Sequence, residues 1–320
     1  MPASSRFARF AWGVLAYDLG VVAWGAYVRA TGSGAGCGRH WPLCNGEIVP
    51  QSPRTQTLVE LSHRVSSGVA LLLAAVLLVW ALRAFPPGHL VRKGAAAGMV
   101  LMLMEAGIGA ALVLFELVAH DASMKRALSV SMHLGNTFLL LAATALTAWW
   151  ASGGARPALH GQKTVVPLLA VPLVAMFFVG ASGAVTALGD TLFPPSSLAA
   201  GLAQDLAPGA HAFIRLRALH PLLATLTAGV IVLASSLVRT LRPAPSVRVL
   251  SRVAALLAIA QVAAGLLDVA TLAPVWLQLV HLVMADAVWI ALVLLAAAAL
   301  AHQPDVARPR ATAEAVTARP

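Results

Sequence analysis

Four histidines lie at similar depths in four separate hydrophobic segments of this 320-residue chain. They are His63, His133, His220 and His281. Each follows the start of its segment by about five to seven residues, which places the imidazoles roughly 10 Å below one membrane surface. An imidazole in lipid is costly unless it is paired or ligated. Two matched pairs at one level therefore predict two metal centres with two histidines each, in preference to four unrelated interhelical hydrogen bonds.

The surroundings of these histidines favour haem iron as the metal. Neutral imidazole suits iron, copper and zinc. Zinc usually takes four ligands, and no set of thiolates or carboxylates accompanies each pair. Two histidines that face each other across an apolar helix bundle fit a haem better. The other six histidines lie in loops or tails and are expected to face solvent, with His40, between the two cysteines, as the least clear case: His40, His89, His120, His160, His211 and His302.

Glu60 precedes His63 by three residues and shares its helical face. It can be solvated or pair with Arg64, but a comparison of the halves suggests more. The positions three residues before the other histidines are Val130, Arg217 and Gln278. Because one position of the four is acidic, we hypothesise that the first half performs chemistry and the second half holds a permanent cofactor. A carboxylate beside a reacting centre can move protons or stabilise positive charge.

The two cysteines, Cys37 and Cys44, lie in the first outer loop. An oxidising compartment favours a disulfide there. A structural clip and a redox-active pair both remain open, whereas a metal site that includes His40 is less favoured.

Three arginines, Arg29, Arg64 and Arg217, lie at the outer membrane boundary near the histidines. A guanidinium pairs with carboxylates in a fork geometry, which makes these residues candidates to bind haem propionates. Snorkelling to the interface is an equal competitor.

Composition indicates the elements that must position these residues. The chain is 59% hydrophobic and 11% charged, with a mean hydropathy of +0.83, which predicts an all-α integral membrane protein. The apolar runs are continuous, which is not the alternating pattern of a strand barrel. The net charge of +10 lies mostly in short loops and indicates a role in topology and not nucleic-acid binding. Hydropathy predicts eight spans near residues 11–30, 58–82, 94–117, 127–150, 164–186, 213–237, 248–268 and 275–301.

An internal repeat divides the chain, because histidines occupy the second and fourth spans of each half. We predict two duplicated four-helix bundles, one in residues 1–155 and one in 156–304, followed by a disordered cytoplasmic tail at 305–320. The distribution of basic residues predicts that both termini are cytoplasmic and that the haem sites lie near the outer face of the cell (inner) membrane. Long outer segments at 31–57 and 187–212 are expected to carry function.

Glycines inside the spans are interpreted as sites of close helix packing. They are Gly98, Gly107, Gly109, Gly135, Gly180 and Gly183.

Several of these stretches together resemble the haem A synthase family, which includes the mitochondrial assembly factor for cytochrome oxidase. The matching stretches are VRATGSG at 28–34 with Cys37, Trp41-Pro42 and Cys44, then ELSHR at 60–64, HLGNT at 133–137, LHP at 219–221 and His281-Leu282.

The resemblance implies oxidation of the C8 methyl of haem O to a formyl group by successive hydroxylation, which gives haem A. His63 and His133 would bracket the substrate haem, and Glu60 would be the catalytic carboxylate. His220 and His281 would ligate a haem b. Cys37 and Cys44 match the outer-loop cysteine pair of the family.

Some family members carry a second cysteine pair between spans five and six, and this chain has none at 187–212. A mechanism that needs two such pairs is therefore not expected here. The expected partners are a haem O synthase, cytochrome oxidase assembly factors, an electron-transfer partner and the lipid bilayer.

Two other functions compete with this one. A diheme b-type electron-transfer protein explains four histidines equally well, but it explains neither a carboxylate in one half alone nor the cysteine pair. A transporter with duplicated bundles predicts broken spans and polar residues near the midplane. The deep candidates are Asp268 and Glu105, which are not expected to join the histidines, and Glu105 has no assigned role.

Overall fold

The computed structural model describes residues 3–301, so the predicted tail at 305–320 lies outside the described part. In residues 3–301 the regular structure is helical, with two isolated β-bridges and no strands. The helices are α1 (Ala3–Ala30), α2 (Thr55–Ala84), α3 (Leu90–Leu114), α4 (Met124–Ala151), α5 (Val165–Leu192), α6 (Leu198–Leu206), α7 (Ala212–Leu241), α8 (Pro245–Ala270) and α9 (Val275–Ala299).

The prediction of an all-α integral membrane protein with eight spans is confirmed, because every helix except α6 is long and apolar enough to cross a membrane. Two boundaries differ from the prediction by more than four residues. The first helix begins at Ala3, several residues before the predicted start at 11. The fifth span continues to Leu192 and is followed by α6, so the segment 187–212 is largely helical. Ser197 caps α6 by accepting a hydrogen bond from the Ala200 amide, which gives this short helix a defined start.

Each half of the chain contains a ring of four long helices. The first ring follows the order α1, α2, α3, α4 and closes by contact between α4 and α1. The second follows α5, α7, α8, α9 and closes by contact between α9 and α5. The two rings meet mainly through α4 and α9, which contact each other and the neighbouring ring. The predicted boundary near 155 falls in the connection between α4 and α5.

Aromatic side chains fill the seam between the rings. The rings of Phe138 on α4 and Trp289 on α9 stack with centroids 5.0 Å apart, and Trp289 Nε1 donates a hydrogen bond to the Phe138 carbonyl at 2.6 Å. Phe177 on α5 packs edge-on against both. Stacking and edge-on contacts of this kind add to the stabilisation from area burial. The seam therefore fixes the rings against each other just below the histidines.

All four histidines lie within the first ten residues of their helices, α2, α4, α7 and α9. Those starts lie on the side of the membrane that carries Cys37 and Cys44, which is called the disulfide side below. At 1.5 Å rise per residue, the imidazoles lie roughly 9–14 Å from the helix starts. The common depth predicted for the four histidines is consistent with these helix starts.

Candidate functional site

One cavity of about 1160 Å³ is lined by all four histidines and by residues of both helix rings. Its volume slightly exceeds the roughly 300–1,000 Å³ of typical ligand pockets. Most of its lining is apolar, as a site for a hydrophobic ring system requires. The cavity therefore has room for a large planar ligand, and its extension into both rings offers two places to bind one.

Every histidine of the cavity packs against a glycine on another helix of the same ring. A Cβ atom built on the glycine would lie 3.0 Å from the His63 ring, 3.9 Å from His133, 3.0 Å from His220 and 2.9 Å from His281. The glycines are, in the same order, Gly25, Gly109, Gly183 and Gly265. At three of the four positions any side chain would push the imidazole away. Of the in-span glycines interpreted as packing sites, Gly109 and Gly183 thus admit imidazoles, whereas a Cβ atom on Gly107 would meet nothing within 4 Å among the described residues.

The histidines of each half lie near each other. His63 and His133 are within electrostatic range of one another, as are His220 and His281. In the described part of the chain, the buried Nδ1 atoms of His63 and His281 have no hydrogen-bond partner. Buried polar atoms of this kind require a partner. Two imidazoles per half in apolar walls match the donor set of a haem iron.

The two histidines of the second half have neutral partners. Ser182 Oγ lies 2.8 Å from His220 Nδ1, which can fix the orientation of that ring. Gln261 Nε2 lies 3.2 Å from His281 Nε2 and donates to the His281 carbonyl at 3.0 Å. Ligation of a metal through His281 Nε2 would require the Gln261 amide to move aside.

Glu105 on α3 contacts His133 on α4, which corrects the expectation that it does not join the histidines. Glu105 Oε1 lies 3.2 Å from His133 Nδ1. The approach is an electrostatic contact and not an aligned hydrogen bond, because Nδ1 has no hydrogen-bond partner of good geometry within residues 3–301. Asn136 Nδ2 and Thr137 Oγ1 donate hydrogen bonds to the Glu105 carboxylate. These donors hold the charged group in the cavity wall.

Glu60 anchors the disulfide loop to α2. Cys37 and Cys44 form a disulfide, as predicted. The Glu60 carboxylate accepts the Cys37 amide at 2.8 Å and the Arg64 guanidinium. Arg64 in turn donates to the His40 carbonyl at 2.6 Å. The pairing of Glu60 with Arg64, one of the alternatives considered from the sequence, is thus observed. Glu60 is only 3% exposed yet lines the cavity.

Arg29 reaches from the first helix ring into the second. Its Nη1 donates to the Ala187 carbonyl and to Thr191 Oγ1, both at 2.7 Å, and its Nη2 donates to Gln278 Oε1 at 2.9 Å. Arg29 lines the cavity, as do Arg64 and Arg217. The structure therefore brings all three predicted arginines to the site, each already engaged by protein groups.

Arg217 is held by two carboxylates. Its Nη2 lies 2.6 Å from Asp205 Oδ1, and its Nη1 lies 3.3 Å from Asp190 Oδ1. Asp205 belongs to α6, so this short helix is tied to the cavity by an ion pair.

Arg126 on α4 was not anticipated from the sequence. It is buried, lines the cavity and donates to the Ala119 carbonyl at 2.7 Å.

Two buried carboxyl groups were missed in the sequence. Asp18 on α1 is 3% exposed and Asp286 on α9 is fully buried. Neither has a hydrogen-bond partner on its carboxyl oxygens within the part of the chain that the structure describes. The available signal was a single acidic residue in the middle of an apolar run. Asp268 had been expected to lie deep in its span. It lies instead two residues before the end of α8.

The glycine–histidine contacts give a register in which the two halves can be compared. Asp18 and Met176 each precede the glycine of the first helix in their ring by seven residues. Glu105 and Gln261 each precede the glycine of the third helix by four residues. An acid in the first half is thus replaced by a neutral residue in the second half at both positions.

The sequence profile of the COX15-CtaA family, described as cytochrome oxidase assembly protein, matches residues 8–293. The chain belongs to this family. The predicted membership of the haem A synthase family is thereby confirmed. Two relatives with matching names align over shorter stretches. A protein named heme A synthase from Geobacillus kaustophilus is 43% identical over 91 residues, 28% of this chain and 29% of that protein. Another with this name, from Alkalihalophilus pseudofirmus, is 34% identical over 122 residues, 38% of each chain.

A longer relative carries a different name. A protein named protoheme IX farnesyltransferase from Thermus thermophilus is 52% identical over 299 residues. The alignment covers 93% of this chain and 49% of that protein. The chain thus spans about half the length of this relative.

Proposed function

We propose that this protein oxidises the C8 methyl group of haem O to a formyl group by successive hydroxylation, which makes it a haem A synthase. The observation that carries the proposal is one cavity with two glycine-packed histidine pairs, of which the first pair contacts an acidic side chain, Glu105 beside His133, and the second pair contacts the neutral Ser182 and Gln261. Two similar pairs suit two haems, and the different partners of the histidines suit two different tasks. Membership of the family and the names of two relatives support the same reaction.

In this proposal the second half holds a resident haem b between His220 and His281. When bound, a haem supplies one-electron redox chemistry that side chains lack. Ser182 orients the imidazole of His220, and the apolar wall excludes water. The neutral hydrogen-bond partners of these histidines, Ser182 and Gln261, favour a permanently bound electron carrier.

The first half holds haem O as substrate between His63 and His133. Glu60 and Glu105 both line this part of the cavity, and Glu105 contacts one of the two histidines. Glu60 serves as the catalytic carboxylate, which can accept or donate a proton or stabilise positive charge near the methyl group. The disulfide loop carries Trp41 and Pro42 into the cavity wall and so shields the reaction from water.

The arginines at the disulfide side provide hydrogen-bond donors for the haem propionates, and Arg29, whose hydrogen-bond partners are neutral, also provides a positive charge. Arg64 lies in the first half and Arg217 in the second, while Arg29 crosses between the two. A guanidinium that already has protein partners is fixed in place, which favours recognition of a carboxylate. Both haems would then have their propionates towards the disulfide side, which the distribution of basic residues assigns to the outer face of the cell membrane.

The proposal also implies partners. A haem O synthase must supply the substrate, and a redox protein must exchange electrons with the haem b. The name of the Thermus relative is consistent with a connection to haem O formation. The product would serve cytochrome oxidase assembly, in line with the description of the family.

Farnesyl transfer is the alternative that the name of the Thermus relative raises. That name belongs to a protein about twice as long as the matched region. The matched region is the part covered by the COX15-CtaA family, and its cavity carries two histidine pairs, for which prenyl transfer has no evident use. Haem oxidation therefore accounts for the site better than prenyl transfer does.

The test is to express the protein in a host that makes haem O but lacks a haem A synthase, and to extract the haems. Haem A should appear with the protein and be absent with the empty vector. A second host, which lacks a haem O synthase, tests the alternative. Accumulation of haem O in that host would show farnesyl transfer and overturn the proposal, as would a lack of haem A in the first host despite well-folded protein.

A further inference from the structure

A second, small cavity lies below the large one, on the side away from the disulfide. Its volume is about 10 Å³, which is about the space that one water molecule needs. It is enclosed by helices of the first half only. Its polar lining consists of Asp18 with the hydroxyl-bearing residues Thr144 and Thr147.

Among the acidic residues that the structure describes, Asp18 is the one that lines both the large and the small cavity. Its side chain is 3% exposed, and neither carboxyl oxygen has a hydrogen-bond partner in the described residues. An unpartnered ionised carboxylate in an apolar interior is very costly. The group therefore requires a proton, a water molecule or both. Glu105 is the titratable residue that interacts with it electrostatically.

The small cavity meets the requirements of an internal water site. A buried water typically makes two to four hydrogen bonds, and Asp18, Thr144 and Thr147 together offer enough acceptors and donors. Two glycines of α3 leave this space open. A Cβ atom on Gly98 would lie 3.9 Å from Thr144 Oγ1, whereas one on Gly94 would lie 2.4 Å from Thr147 Oγ1.

We propose that Asp18 and one water molecule in the small cavity form an internal proton-exchange site for the first half of the large cavity. One proton leaves the Asp18 carboxyl for an acceptor in the large cavity, and the electrons of the O–H bond stay on the carboxylate. The water, which Thr144 and Thr147 help to hold in the small cavity, stabilises that carboxylate until a proton from solvent restores the acid. No electron is transferred, and one proton is gained for each proton released.

In the second half Met176 takes the position equivalent to Asp18 in the glycine register. The assignment deepens the proposed function, since hydroxylation exchanges protons and electron storage by a haem b has no such need. The effect of the Asp18 site on haem A formation therefore rests on the proposed function. The site itself can be tested without any turnover.

Infrared spectroscopy of the purified protein tests the site. The C=O stretching band of a protonated carboxylic acid should be present, and one component of it should be lost in Asp18→Asn and shifted in Asp18→Glu. In D2O that component should move, because the proton exchanges. Identical carboxylic-acid bands in the wild type and Asp18→Asn would overturn the proposal.

The water site is tested by Gly98→Ala, which adds a methyl group to the small cavity at an ordinary contact distance. The Asp18 band should shift and its exchange with D2O should slow by about 10-fold or more, since the hydrogen-bonded water is displaced. Gly13→Ala is the matched control, because Gly13 lies on the same helix as Asp18 and a Cβ there meets nothing within 4 Å among the described residues. An unchanged band and exchange rate in Gly98→Ala would overturn the water site.

Haem A formation separates this inference from the proposed function. Asp18→Asn should lower the rate by about 10-fold, a modest effect for a group that handles protons, with haem content unchanged. If the wild type forms no haem A but the Asp18 band behaves as expected, the proposed function fails and the exchange site stands. If haem A forms at the wild-type rate in Asp18→Asn, the exchange site has no part in turnover and the proposal is overturned.

Discussion

Asp18, Glu60 and Glu105 line the cavity in the first half, whereas the equivalent positions of the second half are Met176, Arg217 and Gln261. The acids that line the cavity in the second half stand at other positions, and two of them, Asp190 and Asp205, pair with Arg217. The supporting geometry is otherwise the same in both halves, because each imidazole packs against a glycine of another helix. The scaffold that places two imidazoles near each other is thus independent of the charges around them. In the proposed function, this difference assigns haem binding to the histidines of both halves and proton chemistry to Asp18, Glu60 and Glu105.

Removal of the acid nearest to His63 in sequence should give the largest effect. Glu60→Gln keeps a carbonyl that can accept the Cys37 amide but loses the charge, so we expect haem A formation to fall about 100-fold or more. The haem b content should stay unchanged, because the second half is untouched. Product analysis and a haem spectrum of the same sample measure both quantities.

The matched change in the second half is Arg217→Gln, which leaves Asp190 and Asp205 without their ion-pair partner. This variant should lose haem b, since unpaired buried charges are strongly destabilising.

For the first of these two variants, Glu60→Gln, turnover at the wild-type rate would contradict the assignment of chemistry to the first half.

The glycine contacts provide a test of the shared scaffold. Gly25→Ala and Gly183→Ala each place a Cβ atom 3.0 Å from an imidazole, and overpacking of this kind costs about 1–3 kcal/mol. We expect Gly183→Ala to weaken haem b retention and Gly25→Ala to weaken binding of haem O. Thermal unfolding and haem titration measure these losses.

Gly109→Ala is the control for these variants, because its Cβ would lie 3.9 Å from His133. It should behave like the wild type in both measurements. Equal losses in all three variants would show that the effect comes from the helices in general and not from contact with the imidazoles.

An exchange of the residues at Glu105 and Gln261 should give the smallest effect. Glu105→Gln makes the first half resemble the second, and we expect haem A formation to fall about 10-fold with binding intact. Gln261→Glu places an uncompensated charge beside His281 and should lower haem b retention. Turnover and haem content of both variants, measured side by side, check this expectation. If Glu105→Gln is fully active, the contact with His133 is structural only.

Much of the fold could be predicted from the sequence, because span-length hydropathy is a local property. The eight spans and the disulfide follow from such patterns. The short helix α6 could not be found this way, since nine residues on one side of the membrane give no span-length signal.

The site was predicted less completely than the fold. The four histidines and Glu60 were singled out from the sequence, because they repeat or break a repeat along the chain, and the structure places all five in the cavity wall. Contacts between helices depend on the rotation and ends of each helix. Glu105 lies nine residues before the end of α3 and His133 nine residues after the start of α4, so they share one depth. The predicted third span ended a few residues after the end of α3, and the predicted fourth span began a few residues after the start of α4. These bounds concealed that Glu105 and His133 lie at the same depth.

The assignment of haem O oxidation to the first half and of haem b to the second is tested most directly by the haem content of two variants. The protein should be purified from a host that makes protohaem but no haem O, so that the substrate site of the first half receives no haem O. We predict one b-type haem per chain in the wild type, its retention in His63→Ala and its loss in His220→Ala. Retention in His220→Ala with loss in His63→Ala, or equal loss from both, would contradict the account.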